Sequence, residues 1–518
     1  MDLAAVERAY GELLAAFGDL VVAETRGEPV DPSVSILALR RRYRTRRRQV
    51  EAALAALGTA DVTTQDDARA VHVMRGVLPW FDEIEPPPRG SAAPAADGEA
   101  RRRVGLYRRY GEAATSIRFG GETLDRLTVL GRLATERDPE AREALFRSME
   151  PMWRAVDGDG GDRSPFQRLV GPAAERWATV GSPIEANAQS IGLAPGAFEG
   201  ILRELLTAWR ELIGPRRIEP WDHWYVCGGA SRRLDRRIPQ SRLLELNHAY
   251  VRSLGADPGA LDITYDVIPR PDRPPVAAAF TMGMGALAAG QPRSGPWTPR
   301  PPWVFATYAT GGLGNLVELL HETGHALHAA ATRTRPAFLE LPNDDTGYGE
   351  GIADFLGWDA TEPAWQRRWL GEAAEPAEAV LDRYGAVMLD ACWALFELEL
   401  YREPRRRPNE IWSDVTEDGL GIEPHPEWSW WAMRGQLIDS PGYLANYVLS
   451  ALIAAALRAR LLELRGPWWD GDPGWFPFVA ARLFAPGSSQ PPSVVLEAFL
   501  GGPLTAAPLL ADLRRATV

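Results

Sequence analysis

Two histidines four residues apart, with a glutamate beside the first, are the residues of this chain best suited to chemistry: His321-Glu322-Thr323-Gly324-His325. On a helix, positions four apart share a face, so both imidazoles can reach one metal ion. Neutral imidazole suits zinc, and a centre with three protein ligands keeps a fourth position for water. Glu322 then stands where a base must stand to take a proton from that water. With only seven histidines in the chain, composition alone would seldom produce this spacing.

A third ligand has to come from elsewhere. A histidine six residues beyond His325 would serve, but that position is Ala331. His328 falls on a neighbouring face and reads as a core or supporting histidine. A downstream glutamate is the other route, and Glu350 lies 25 residues beyond His325. That is enough chain to leave one helix, turn and present a second. Asp354, one helical turn after Glu350, offers a carboxylate to the free N–H of a ligand histidine, which fixes its tautomer and raises its basicity. The expected centre is one Zn2+ per chain bound by His321, His325 and Glu350, with Asp354 behind a histidine.

The elements that must position these groups are mostly helical. Residues 1 to about 80 carry helical spacing, with Leu13, Leu14 and Phe17 on one stripe and Leu54, Ala55 and Leu57 further on. Pro86-Pro87-Pro88 and Gly90 to Pro94 read as an exposed loop. Asp157 to Asp162 reads as a turn, since it lacks the glutamate of a calcium loop. Helical spacing resumes from Ala197 to Leu212. Between Asp262 and Thr310 the texture changes to short β-type runs, of which residues 302–310 are the best strand. Gly311, Gly312 and Gly314 end it, and Asn315 is the expected cap of the histidine helix. After Trp358 the chain is again helical, and the tryptophan groups at 428–431 and 468–475 read as core.

Composition excludes several classes. The chain has 518 residues, 45% hydrophobic and 24% charged, which describes a globular protein with a large core. A formal charge of −12 argues against a nucleic-acid partner. The seven arginines between Arg40 and Arg48 are spread around a helix axis and read as a solvated face. All 57 basic residues are arginine, so Schiff-base and P-loop lysines are absent. Two cysteines, Cys227 and Cys392, make no disulfide framework. The first residues lack a signal-peptide pattern, and Leu444–Leu457 is too short to span a bilayer. A cytoplasmic protein without membrane partners is expected. The oligomeric state is not legible.

The segment His321 to His328 resembles the zinc-binding signature of the thimet oligopeptidase and oligopeptidase F family. Pro220-Trp221-Asp222-His223-Trp224-Tyr225 and Ile238 to Leu244 resemble two further segments of that family. The resemblance covers roughly residues 216–450. It implies a mainly α fold with two lobes around a deep central channel and a small antiparallel sheet beside the zinc helix. An N-terminal helical region, 1–215, would form a channel wall or lid over a catalytic region, 216–518. Pro441 to Tyr447 resembles the family's glycine- and tyrosine-rich segment, which makes Tyr447 and Tyr443 the candidate oxyanion donors. Tyr447-Val448-Leu449-Ser450 is similar, more distantly, to a segment of angiotensin-converting enzyme. The chain departs from the family where a histidine would fall near Ile438 and a further tyrosine at Ser450. His425 is the candidate to replace that histidine at the substrate. The strand from Trp303 to Thr310 resembles the edge strand on which such enzymes lay an extended peptide, with Ala306 and Tyr308 as contact positions.

The implied activity is zinc-dependent hydrolysis of peptide bonds in short peptides. Two other readings remain open at this point. One is a zinc amidohydrolase acting on a specialised small amide, and the other is a silent zinc-containing binding protein.

Overall fold

The computed structural model describes residues 2–58, 61–78, 98–160, 164–273, 275–276, 278–283, 300–342 and 346–516. The expected loop at 86–94 lies outside them, as do residues 161 and 162 of the expected turn. The part of that turn within them behaves as expected: a helix ends at Asp157, and Gly158 takes φ 66°.

The N-terminal stripe folds as its spacing requires. Helices Leu3–Arg26, Ile36–Ala55 and Gln65–Val77 bury Val6, Tyr10, Leu13, Leu14 and Phe17 against Leu39, Tyr43 and Val73. Asp2, Ser35 and Thr64 cap their first turns, Thr64 in a reciprocal box with Asp67. Arginines of the second helix face outward to carboxylates of the first, Arg40 to Glu24 and Arg46 to Glu12. This small core closes on Met282, Phe305, Ala337 and Phe338. Arg335 adds an ionic clasp to Glu7, Asp66 and Asp67. The N-terminal helices therefore lean on the sheet and on the chain that follows the histidine helix.

The larger core takes residues from both sides of position 215, from Leu106 to Leu513. The fold is mainly α. A hairpin, β1 (Ile117–Phe119) and β2 (Glu122–Leu124), is antiparallel. Three more strands form one sheet in the order β3 (Thr264–Asp266), β5 (Trp303–Phe305), β4 (Phe280–Met282). The pair β4–β5 is antiparallel as expected, and β3–β5 is parallel. The tryptophans Trp430, Trp431, Trp468 and Trp475 are fully buried. Among the described residues no helix is long and apolar enough to cross a membrane.

Three helices stacked in one layer matter most for the site. The histidine helix, Leu313–Ala331, packs on the glutamate helix, Thr346–Gly357, which packs in turn on the apolar helix Ala445–Arg465. Leu316, Leu319, Leu320 and Leu327 give the histidine helix its buried face. The apolar helix is buried almost all round, as its composition foretells. Glycine lets the three approach closely. A Cβ at Gly324 would stand 2.8 Å from the Ala353 Cα, and one at Gly351 would stand 2.8 Å from the Ile453 Cβ.

Two local expectations are corrected. The strand expected over 302–310 spans only Trp303–Phe305, and it is the central strand of its sheet, not an edge. Asn315 does not cap the histidine helix. It lies inside the helix and donates to the Thr310 carbonyl, while Asp235 Oδ1 accepts the Leu313 N–H at 2.9 Å. A carboxylate from a distant segment thus meets the positive end of the helix.

Candidate metal centre

The helix periodicity sets His321 and His325 on one face, their rings edge to face at 4.8 Å. The glutamate helix brings Glu350 to both: its Oε2 is 3.3 Å from His321 Nε2 and 3.9 Å from His325 Nε2. The three donor atoms all lie within 4.8 Å of one another. Tetrahedral bonds of about 2.0–2.1 Å would separate ligand atoms by about 3.4 Å. Two imidazole nitrogens and one carboxylate oxygen at this spacing fit zinc in both geometry and donor chemistry. All three side chains are partly exposed, so the cluster opens toward solvent.

One turn along the glutamate helix, Asp354 Oδ1 sits 2.8 Å from His321 Nδ1. That contact places a proton on Nδ1, so Nε2, toward Glu350, is the nitrogen that becomes free to ligate when the ring is neutral. Burial works against a charge on His321, but Asp354 and then Glu350 outweigh it and hold its pKa well above the usual imidazole value. Burial likewise opposes charge on Glu350, yet the His321 hydrogen bond and the two imidazoles bring it down to about 2. His325, without a carboxylate of its own, is lowered to about 4 by burial and by the charge on His321. The cluster is a preformed place for positive charge.

Glu322 is buried beside the ligand face, and burial pushes its pKa up to about 7 against the pull of His321 and Thr281. Thr281, in β4, holds this side chain: its Oγ1 is 2.8 Å from both Glu322 Oε2 and the Glu322 carbonyl. The sheet strand next to the base is thus β4. On the opposite side of the helix, Thr323 Oγ1 meets Asn247 Oδ1 at 3.0 Å and the Tyr265 hydroxyl at 3.2 Å. His328 is buried against Phe484 and lies outside the three-donor set.

Tyr443 and Tyr447 enter from the start of the apolar helix, their rings 5.8 Å apart. Burial raises the Tyr447 phenol to about 12, with Arg434 opposing and Glu350 adding to the rise. Ser450, one turn on, puts its Oγ 3.1 Å from Asp354 Oδ2.

The other candidates stand differently. His425 is held between Glu219 at 3.0 Å and Glu427 at 2.7 Å, with its ring stacked 3.9 Å from Trp428. None of these partners belongs to the three-donor cluster. Ala306 and Tyr308 are buried, and their backbone N–H groups donate to the Asp266 and Val267 carbonyls. Those donors are spent within the fold. Burial, reinforced by Glu318 and Glu322, raises the pKa of the Tyr308 phenol.

Sequence reasoning missed Thr281, Ser450 and Asp235. Thr281 sits in a three-residue strand with no motif around it. Ser450 registered only through family resemblance, with no role of its own, and Asp235 lies 78 residues before the helix it caps.

The architecture is a mainly helical fold with a small sheet beside the histidine helix, and chains of similar fold have been solved. Solved structures similar to this chain include the carboxypeptidase of Pyrococcus furiosus, 15% identical with a TM-score of 0.57, covering 100% of this chain and 99% of that one. The M32 carboxypeptidase of Deinococcus radiodurans is also 15% identical, with a TM-score of 0.57, covering 99% and 98%. An oligoendopeptidase F-like chain is 15% identical with a TM-score of 0.56, covering 100% and 96%. At such identities the likeness is one of fold. No protein-family model and no curated protein matches the sequence. The sequence resemblance pointed to oligopeptidase F, and the structural likeness adds carboxypeptidases.

Proposed function

We propose that this protein is a zinc-dependent peptidase that hydrolyses short peptides. The observation that carries the reading is the convergence of His321, His325 and Glu350 with the buried carboxyl of Glu322 beside them. It is supported by a fold shared with chains solved as carboxypeptidases.

His321, His325 and Glu350 would hold zinc, which when bound would supply a Lewis acid and a water acidic enough to lose a proton near neutral pH. Glu322, kept in place by Thr281, takes that proton and hands it to the leaving amine. Tyr447, with Tyr443 beside it, donates its phenolic hydrogen toward the developing oxyanion. Asp354 fixes His321 in the tautomer whose Nε2 is free to ligate. Among the described residues β4, next to Glu322, is an edge of its sheet, and it replaces the strand at 303–310 as the place for an extended peptide.

Metal analysis followed by digestion of a short-peptide library tests this. The expected result is one zinc per chain and cleavage that Glu322→Gln reduces about 10²- to 10⁴-fold. Zinc bound without any peptide cleaved would overturn the peptidase reading, and cleavage surviving in the glutamine variant would overturn the role of Glu322.

A further inference from the structure

We propose that Glu318 is a specificity-determining residue that binds a positively charged nitrogen of the peptide, about two residues along the chain from the group held at Glu322. This rests on the peptidase reading and says what the substrate carries.

The histidine helix has two faces. Leu316, Leu319, Leu320 and Leu327 go to the core. On the other face Gly314, Glu318, Glu322 and His325 follow one another at spacings of four, four and three, with His321 alongside. Helix periodicity therefore sets Glu318 on the face that carries both imidazoles and the base. Exposure rises along this line toward the start of the helix. Glu322 is buried, His321 and His325 are partly exposed, and Glu318 and Gly314 are exposed. A Cβ at Gly314 would meet nothing within 4 Å. The face thus opens from the metal centre toward the first turn of the helix, and Glu318 stands in that opening.

The charges around Glu318 leave it available. Among the described residues it makes no ion pair, and no arginine is among the charges that act on it. Other helix glutamates of this chain are taken by arginines: Glu199 pairs with Arg203 and Arg402, and Glu378 with Arg233. The protein around Glu318 still crowds it enough for desolvation to raise its pKa, as in a recess and not on a convex surface.

The ligand chemistry follows from the carboxylate and its place. It accepts charge-assisted hydrogen bonds from an ammonium or a guanidinium, and a recess strengthens them. An unmodified peptide has two sources of such a cation, its N-terminus and a basic side chain. β4 meets this face at Glu322 through Thr281, so a peptide seated on that strand passes one helical turn from Glu318. Four helical residues rise about 6 Å, and an extended peptide advances about 3.3 Å per residue, which sets the spacing at about two residues.

The test is calorimetric titration, with zinc present, of the Glu322→Gln protein, in which turnover is blocked. One pair of short peptides differs only in a free or acetylated N-terminus. A second, acetylated pair differs only in an internal Lys or Gln. At least one cationic member is expected to bind about tenfold tighter than its neutral partner, and the pair that discriminates names the source. Adding Glu318→Gln is expected to bring the ratio close to one, and Glu318→Lys to reverse the preference. Glu318 is exposed, so neither change disturbs the core. Equal affinities in both pairs, no binding of any peptide, or discrimination that survives Glu318→Gln would each overturn the assignment. Cleavage by the wild-type protein is read separately. Discrimination without cleavage sinks the peptidase reading and leaves the role of Glu318 standing, and cleavage without discrimination does the reverse.

Discussion

Ser450 places its hydroxyl 3.1 Å from Asp354 Oδ2, the carboxylate oxygen that His321 does not use. A residue of the apolar helix thereby steadies a residue of the glutamate helix, which orients an imidazole on the histidine helix. The relay crosses all three stacked helices, and a shift in any of them is felt at His321. At the position where the sequence resemblance implied a tyrosine, this chain sets a small hydroxyl against Asp354.

From that relay, Asp354→Ala is expected to weaken zinc binding about 10- to 100-fold. Ser450→Ala should act in the same direction and by less, because it removes one of two supports. Competition against a chelator of known affinity measures both. Unchanged affinity in Asp354→Ala would show that His321 is oriented by other means.

Tyr447 is the phenol that feels Glu350. Tyr447→Phe keeps the ring against Arg434 and removes the donor. We expect kcat to fall about 10²-fold with KM little changed, the pattern of an interaction made only in the transition state. A rise in KM alone would make Tyr447 a substrate-binding residue instead.

Glu397 lies fully buried behind the tyrosine segment, with its Oε1 accepting the Gly442 N–H at 2.8 Å. Burial raises its pKa to about 8, with the Gly442 hydrogen bond and Arg103 pulling the other way. In the unfolded chain this carboxyl loses its proton near pH 4.5, the usual value. Between those values the folded state holds a proton that the unfolded state has lost, so stability falls as pH rises from about 4.5 toward 8. Glu397→Gln keeps the acceptor and removes the titration. Thermal melts at pH 5 and pH 8 should show the variant gaining on the wild type at the higher pH. An equal difference at both would place the titration elsewhere.

Below the glutamate helix, Asp359 is wholly buried and accepts from Tyr250, Trp468 and Arg458. Arg458 also reaches Glu362 at 2.9 Å. Asp359→Ala strips the buried guanidinium of its nearest carboxylate, and denaturant unfolding should register a loss of about 3–5 kcal/mol. A loss under about 1 kcal/mol would mean that Glu362 alone suffices.

Much of the candidate site was legible in the sequence because it depends on short-range geometry. Helix periodicity alone puts His321 beside His325, and Glu350 beside Asp354. The distance from His325 to Glu350 announces a second helix. The N-terminal stripe and the apolar helix were equally plain, since burial of one face, or of all faces, is written in composition. The strand at 303–310 was read too long and as an edge. A run of apolar and β-branched residues signals a strand but says nothing about how many neighbours will pair with it.

What only the tertiary structure decided is which distant groups meet. Asp235 rather than Asn315 caps the histidine helix, Thr281 holds Glu322, and His425 answers to Glu219 and Glu427. Sequence spacing governs contacts within one helix because the backbone fixes them there. Contacts between helices depend on packing, here on glycines small enough to let three helices touch, and no local pattern encodes the result.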